Sequence, residues 1–543
     1  MSDTVGDLAI VLHSHMPYVE GFGTYPFGEE WLFDAVIRSY LPVLEVAEKL
    51  TMTVTPVLAD QLEDAGAAER LREFLVEWRV GAAEADLPQV PAECRDACEA
   101  ELARYRHALE LLDAAGGDPL RPFQEAVGEG RVALATSAAT HAVLPLLATR
   151  AGLRLQVDAG VRSHRRRFGW DGGFWLPECA YAPGLEEVLA EHGVRWFCVD
   201  QSAQQADPLE ALTPILPPGA SPEAVGDRYG GETAGGGGTR YGTVGDRHGA
   251  GVAGPVALPI DWEAIQWLWS LDGYPSDPAH AQFAGKSLRG IRLWKVGGGA
   301  YDPAAAEAAA RRQAGEFLEA VAGRLRAYAD GGRGAGGQGP DDSPAGRNGA
   351  PPDGPGAGQP RAGGRGLIVF AIDTELLGHW WSEGAIWLRE VLAGAEAAGV
   401  RLLTVPEALA EHEPVERPLA ASSWGEEKDL STWDSPAVAD LAWAARRLEL
   451  RLLRALSAGV REPGARGAGL LLPAAQRAAR ELIAAQASDW AFLDQRGQAG
   501  DYAFQRATGH AEALLEAIDS PASSDPSMRA LAPDLSLAPL LET

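Results

Sequence analysis

Five polar residues in this chain share one setting: each follows a short apolar run. His13 and His15 follow LAIVL, His141 follows VALATSAAT, Glu178 follows GFWLP, and Asp373 follows LIVFAI. Such runs, bounded by turn formers, read as buried strands. If the strands are parallel, their carboxyl ends gather on one face, which is where β/α barrels carry their active sites. Two carboxyl groups with histidines nearby suit acid/base chemistry at an acetal. One is ionised, to attack or stabilise a sugar cation, and the other is protonated, to release the leaving oxygen. A competing chemistry uses the same residues. His13 and His15 are two apart on a strand and point the same way, so a metal pair and a metal-dependent carbohydrate deacetylase are also expected candidates. Taken singly, Glu178 could be a surface or cap residue, Asp373 could cap the next helix, and the pair Trp380-Trp381 could be core packing.

The elements around these residues alternate. LAIVLHSHMP is a strand, residues 30–50 have helical spacing, and TMTVTPVLA is a strand again, so the opening is β-α-β with a parallel sheet and helices outside. Residues 61–127 read as a helical insertion. Together, 1–60 and 128–415 form the expected barrel, broken by a glycine-rich mobile loop at 219–254 and a disordered insert at 330–366. Residues 416–520 form a helical C-terminal domain, and 521–543 an Ala/Pro/Ser tail.

Bulk composition excludes several partners. With 543 residues the chain holds several packed units, and a formal charge of −29 argues against nucleic acid or an anionic membrane surface. Its four cysteines match no zinc pattern, and the first residues carry no signal or membrane segment, so the expectation is a cytoplasmic protein with reduced thiols. No GxSxG and no GxxxxGK[ST] occurs. Tryptophan, at 16, outnumbers phenylalanine at 13 and tyrosine at 11. Most of the indoles fit a core, and some would serve as stacking platforms for sugar rings.

In order along the chain, HSHMPYVEG, ATHAVLPLL, FWLPECAY, FAIDTELLGHWW and SSWGEEKDLSTW resemble the five sequence regions of glycoside hydrolase family 57, closest to its 1,4-α-glucan branching enzymes. LIAAQASDWAFLDQRGQAGDYA resembles their C-terminal helical domain. The resemblance implies an α/β fold, an incomplete seven-stranded (β/α)7 barrel with a helical insertion and a helical C-terminal domain. It implies Glu178 as the nucleophile and Asp373 as the general acid/base. His13, His15 and His141 would line the cleavage subsite, and Trp175, His379 and Trp380 would shape the same pocket. Trp424, Trp433 and Trp269 would line the glucan groove. A tyrosine at the tip of a mobile loop gates the site in the family, with Tyr241 the candidate and Tyr229 second. No metal or cofactor is implied, and the partner is an α-glucan acted on by a monomer.

The expected activity is cleavage of an α-1,4 link and transfer to a 6-hydroxyl. A 4-α-glucanotransferase or α-amylase is the alternative within the family, and a non-catalytic glucan-binding protein a further one. The sequence departs from the family in the middle. DPAHAQFAGKSLRGIRLW stands where branching enzymes carry a segment of the form YREFYRD, and Ile260 stands where an arginine is expected.

Overall fold

In the computed structural model, residues 4–24, 27–218, 254–331, 365–464, 469–520 and 530–542 are described. The expected loop at 219–254 and insert at 330–366 lie almost wholly outside these residues, as do Tyr229 and Tyr241.

Seven parallel strands form the centre of the sheet, in the order β8 (Leu367–Asp373), β1 (Gly6–Ser14), β2 (Leu50–Val54), β3 (Val132–Ser137), β4 (Gly173–Trp175), β5 (Trp196–Val199) and β7 (Val256–Pro259). The short β6 (Ile215–Leu216) runs antiparallel to β7 and parallel to β10 (Val415–Glu416), and β9 (Val400–Leu402) pairs with the start of β1. Every residue of β1 is buried, as expected for a parallel strand covered on both faces. The sheet curls without closing. Among the described residues, its two sides approach where Asp261 N–H, just past β7, donates to the Val369 carbonyl of β8 at 2.9 Å. The result is the incomplete (β/α)7 barrel.

Helices cover the outside. Between β2 and β3, residues 56–128 are almost entirely helical, and Arg95–Ala114 is the longest of these helices. Pro303–Ala329 leads back to β8 and packs Phe317 against Phe370 and Trp387. After the barrel, helices Ala439–Leu456, Leu472–Ala485 and Tyr502–Asp519 form a second body around an apolar cluster that also takes in Tyr18, Val57, Ala139 and Leu155 of the barrel side. Helix Ser488–Gln495 joins it through Trp490, packed with Ala503. The sequence suggests a simple tail after 520, but Leu531, Leu535, Leu537 and Leu540 are buried in that cluster. Each fully buried leucine contributes roughly 1.5–3 kcal/mol, so these residues are part of the domain's core.

Register places the polar strand ends side by side. His13 on β1 is opposite Thr53 on β2 and opposite Asp373 on β8. Three neighbouring strands therefore present Thr53, His13 and Asp373 in one row at the carboxyl end of the sheet.

Candidate active site

Glu178 lies just past β4 with its backbone at φ 60 and ψ 22, in the left-handed region that side-chain-bearing residues seldom adopt. Cys179 follows at φ 48, and His141, after β3, also stands at φ 60. Such conformations persist where surrounding contacts over-determine them, and they cluster at functional sites. Here those contacts are visible. Trp424 N–H donates to the Glu178 carbonyl, its indole Nε1–H donates to Glu178 Oε2 at 2.9 Å, and Ser488 Oγ meets Glu178 Oε1 at 2.9 Å.

The histidines form a stack. His15 and His141 have ring centroids 4.1 Å apart, His13 and His141 4.9 Å, and His13 lies flat on Trp175 at 4.6 Å. Two threonines hold the stack, Thr53 at His13 Nδ1 and Thr55 at His15 Nδ1. His15 Nε2 meets both oxygens of Asp489, at 3.0 and 3.1 Å. Burial, with the charge of His15 alongside, holds the pKa values of His13 and His141 well below the usual imidazole range. His15 differs: burial opposes its protonation, yet Asp489, Glu375 and Glu178 together raise its pKa.

Among the described residues, one set of three donor groups lies close enough for a metal ion, His15, His141 and Asp489, with donor atoms within 4.8 Å of one another. His15 Nε2 is engaged with Asp489 and His141 Nδ1 with Ser488. The donor atoms are thus accounted for as members of the hydrogen-bond network.

The carboxyl groups are not equivalent. Burial, then the nearby Glu375 and Glu178 carboxylates, pushes Asp373 well above the ordinary carboxylate range. Burial also raises Glu178, but the Trp424 and Ser488 hydrogen bonds pull it back. Glu375 accepts from the His15 backbone N–H at 3.1 Å and from the Tyr40 hydroxyl, and burial raises it to about 7. Such a difference in environment separates an acid from a nucleophile.

Known proteins resemble this chain in sequence and in fold. The family model described as glycosyl hydrolase family 57 matches residues 9–221, and one described as the 1,4-alpha-glucan branching enzyme C-terminal region matches 454–533. A 1,4-alpha-glucan branching enzyme of Thermococcus kodakarensis is 31% identical over 93% of this chain and 72% of its own length. The chain belongs to glycosyl hydrolase family 57. Its structure superposes on the family 57 branching enzyme of Thermococcus kodakaraensis, in complex with glucose, with a TM-score of 0.79 and 27% identity, covering 99% of this chain and 96% of that one. The Pyrococcus horikoshii enzyme of the same type gives 0.79 and 26%, covering 99% and 97%. A deacetylase built on the same histidines is not favoured by this membership.

Within the family 57 barrel, the expected residues fall into three groups. His13, His15, His141, Trp175, Glu178 and Trp424 form one contact network, and Asp373 borders it beside His13. Trp269 and Trp380 are about half exposed, at 54% and 51%. Trp433 is only 3% exposed and packs with Val143, Ala180, Val438 and Ala491, so its ring is a core group rather than an open platform. His379 is next to Trp380 and Phe283, and burial lowers its pKa to about 3.

The segment that departs from the family pattern packs on this same loop. Phe283 lies 4.4 Å from Trp380, while the Arg292 guanidinium holds the carbonyls of Gly378 and His379 and the Ser382 hydroxyl. Gly378 permits the turn: its φ is 105, and a side chain there would meet the Arg38 carbonyl at 1.8 Å. Sequence reasoning missed Glu375, Ser488 and Asp489. Glu375 was within reach, because it is two residues from Asp373, in the 3-10 turn Thr374–Leu376 that follows β8. Ser488 and Asp489 had no such signal, because they lie more than 300 positions from Glu178 in a helical stretch.

Proposed function

We propose that this chain is a retaining 1,4-α-glucan branching enzyme, with Glu178 as nucleophile and Asp373 as general acid/base. Asp373 protonates the departing α-1,4 oxygen while Glu178 attacks the anomeric carbon to give a glycosyl ester. Asp373, now ionised, then takes the proton from the 6-hydroxyl of an acceptor glucan, which displaces Glu178 and forms an α-1,6 branch. The observation that carries this reading is the joint match of a family 57 barrel and a branching-enzyme C-terminal region in one chain, at the level of identity given above. The raised Asp373, beside a Glu178 that two donors help to ionise, supports the assignment of roles. His13, His15 and His141 border the sugar at the cleavage point, and Trp269, Trp380 and Trp424 offer indole surfaces along the glucan.

The protein is taken to act as a cytoplasmic monomer. No helix among the described residues is long and apolar enough to cross a membrane, and the four cysteines are free and buried. The test is to incubate the full chain with amylose, treat the product with isoamylase, and profile chain lengths, with Glu178→Gln as the blank. Short chains that appear only after debranching, and only with the wild type, are the expected result. Free reducing ends or redistributed linear chains alone would replace branching with hydrolysis or 4-α-glucan transfer.

A further inference from the structure

The hydrogen bonds behind Glu178 can be counted proton by proton. Ser488 Oγ lies 2.9 Å from Glu178 Oε1 and 2.9 Å from His141 Nδ1. His141 Nε2 lies 3.0 Å from His13 Nε2, and His13 Nδ1 meets the Thr53 hydroxyl. A serine hydroxyl has one proton to give, and an ionised carboxylate can only accept. With Glu178 ionised, Ser488 therefore donates to it and accepts from His141 Nδ1–H. His141 is then bare at Nε2 and accepts from His13 Nε2–H, and His13 Nδ1 accepts from Thr53. Each link leaves one assignment for the next. The reverse direction needs a proton on Glu178, a form that cannot attack.

We propose that Thr53, His13, His141 and Ser488 form a one-way hydrogen-bond relay that ends on Glu178, with Ser488 as a positioning residue supplied by the C-terminal domain. The inference rests on Glu178 being the nucleophile and goes beyond it. Ser488 orients the carboxylate and favours its ionised form, and the barrel without the C-terminal helices lacks the last donor.

The geometry fixes each link. Thr53 and His13 are register partners on adjacent strands. Ser488 is held by its own backbone, whose N–H donates to the His141 carbonyl at 3.2 Å, and Ala487 bridges to Ala142. His141 and Glu178, the two neighbours of Ser488 in the chain of bonds, both stand at φ 60. His13 and His141 are both 2% exposed, so water does not compete for their nitrogens. Aligned bonds of this kind polarise one another in a low-dielectric interior. The other charged groups that face Glu178 are His15 within the histidine stack, Asp489 bonded to it, and Asp373 on β8 with Glu375 behind it. None of these changes when Ser488 does.

Two measurements test the relay. In the wild-type chain with 15N-labelled histidine at neutral pH, the expected tautomers are Nδ1–H for His141 and Nε2–H for His13. A His141 protonated at Nε2, or at both nitrogens, overturns the relay, and this readout needs no variant and no turnover. Ser488→Ala in the full chain should lower kcat about ten- to a hundredfold with KM nearly unchanged. It should also move the acid limb of the pH profile up by about one unit, because the ionised carboxylate has lost a donor. Ser488→Thr should restore both. A folded Ser488→Ala variant with an unmoved acid limb overturns the positioning role. Failure of the wild type to branch amylose would sink the functional reading instead, and leaves the tautomer test intact.

Discussion

The strand ends that carry His13, Glu178 and Asp373 and the helix start that carries Ser488 and Asp489 meet at the same groups, but they are held by different means. The strand ends are fixed by the sheet itself. Register sets Thr53, His13 and Asp373 in a row, and buried β-strands leave the backbone no freedom to move them. The helix start is fixed by docking between two bodies. Thr140 bonds the Ile483 carbonyl, Gln156 bonds Gln486 at 3.0 Å, and His15 pairs with Asp489. The difference teaches a division of labour. On the proposed assignment the barrel places the reacting atoms, and the helical domain supplies Ser488 and Asp489 as partners of Glu178 and His15. The site is therefore complete only when both bodies are docked.

The largest effect should come from the floor. Glu178→Gln is expected to abolish branching of amylose, by about a thousandfold or more, while the melting temperature stays near wild type. If activity survives, the barrel does not carry the nucleophile, and the comparison fails at its base.

The seam between the two bodies comes next. Trp433→Ala removes a ring that is 3% exposed and is expected to cost about 3–5 kcal/mol, read as a fall in melting temperature. An unchanged melting temperature with weakened glucan binding would return Trp433 to the groove, where the sequence resemblance put it.

Asp489→Asn tests the electrostatic half of the comparison. Burial opposes the charge on His15 and Asp489 favours it, so the variant should lower the His15 pKa, and activity should fall about tenfold. The sign for stability follows. A pKa raised by folding gives stability that is full below the unfolded value of about 6.5 and is lost as pH rises through the folded value. The stability gap between wild type and Asp489→Asn should accordingly shrink as pH rises through the folded His15 pKa, in melting curves taken across that range.

The smallest effect belongs to Trp380, the exposed residue of a mostly buried loop. Trp380→Ala removes a half-exposed ring backed by Phe283 and should raise KM for amylose several-fold, with kcat within a factor of about two. A collapse of kcat would place Trp380 at the reacting centre instead.

Much of the barrel floor was legible in the chain alone. Apolar runs ending in His13, His15, His141, Glu178 and Asp373 mark buried parallel strands, because such strands must be apolar on both faces and free to turn polar only where they end. The motifs around Glu178 and Asp373 then tied those ends to family 57. Helical periodicity outlined the C-terminal body, but it could not say which of its turns faces Glu178. Ser488 and Asp489 read as ordinary helix-start residues, since nothing local distinguishes a serine that caps a helix from one that reaches a carboxylate in another domain. Trp433 shows the same limit from the other side: a motif named it as a groove residue, and packing against Val143, Ala180 and Ala491 decided that it is core. Pattern alone marked the strands and the polar residues at their ends, because those depend on each segment's own burial, and the family resemblance then singled out the two carboxyl groups. Only the tertiary structure decided which distant groups bond to one another and how unequal the settings of the carboxyl groups are, because both depend on which side chains arrive within 3 Å or so of one another.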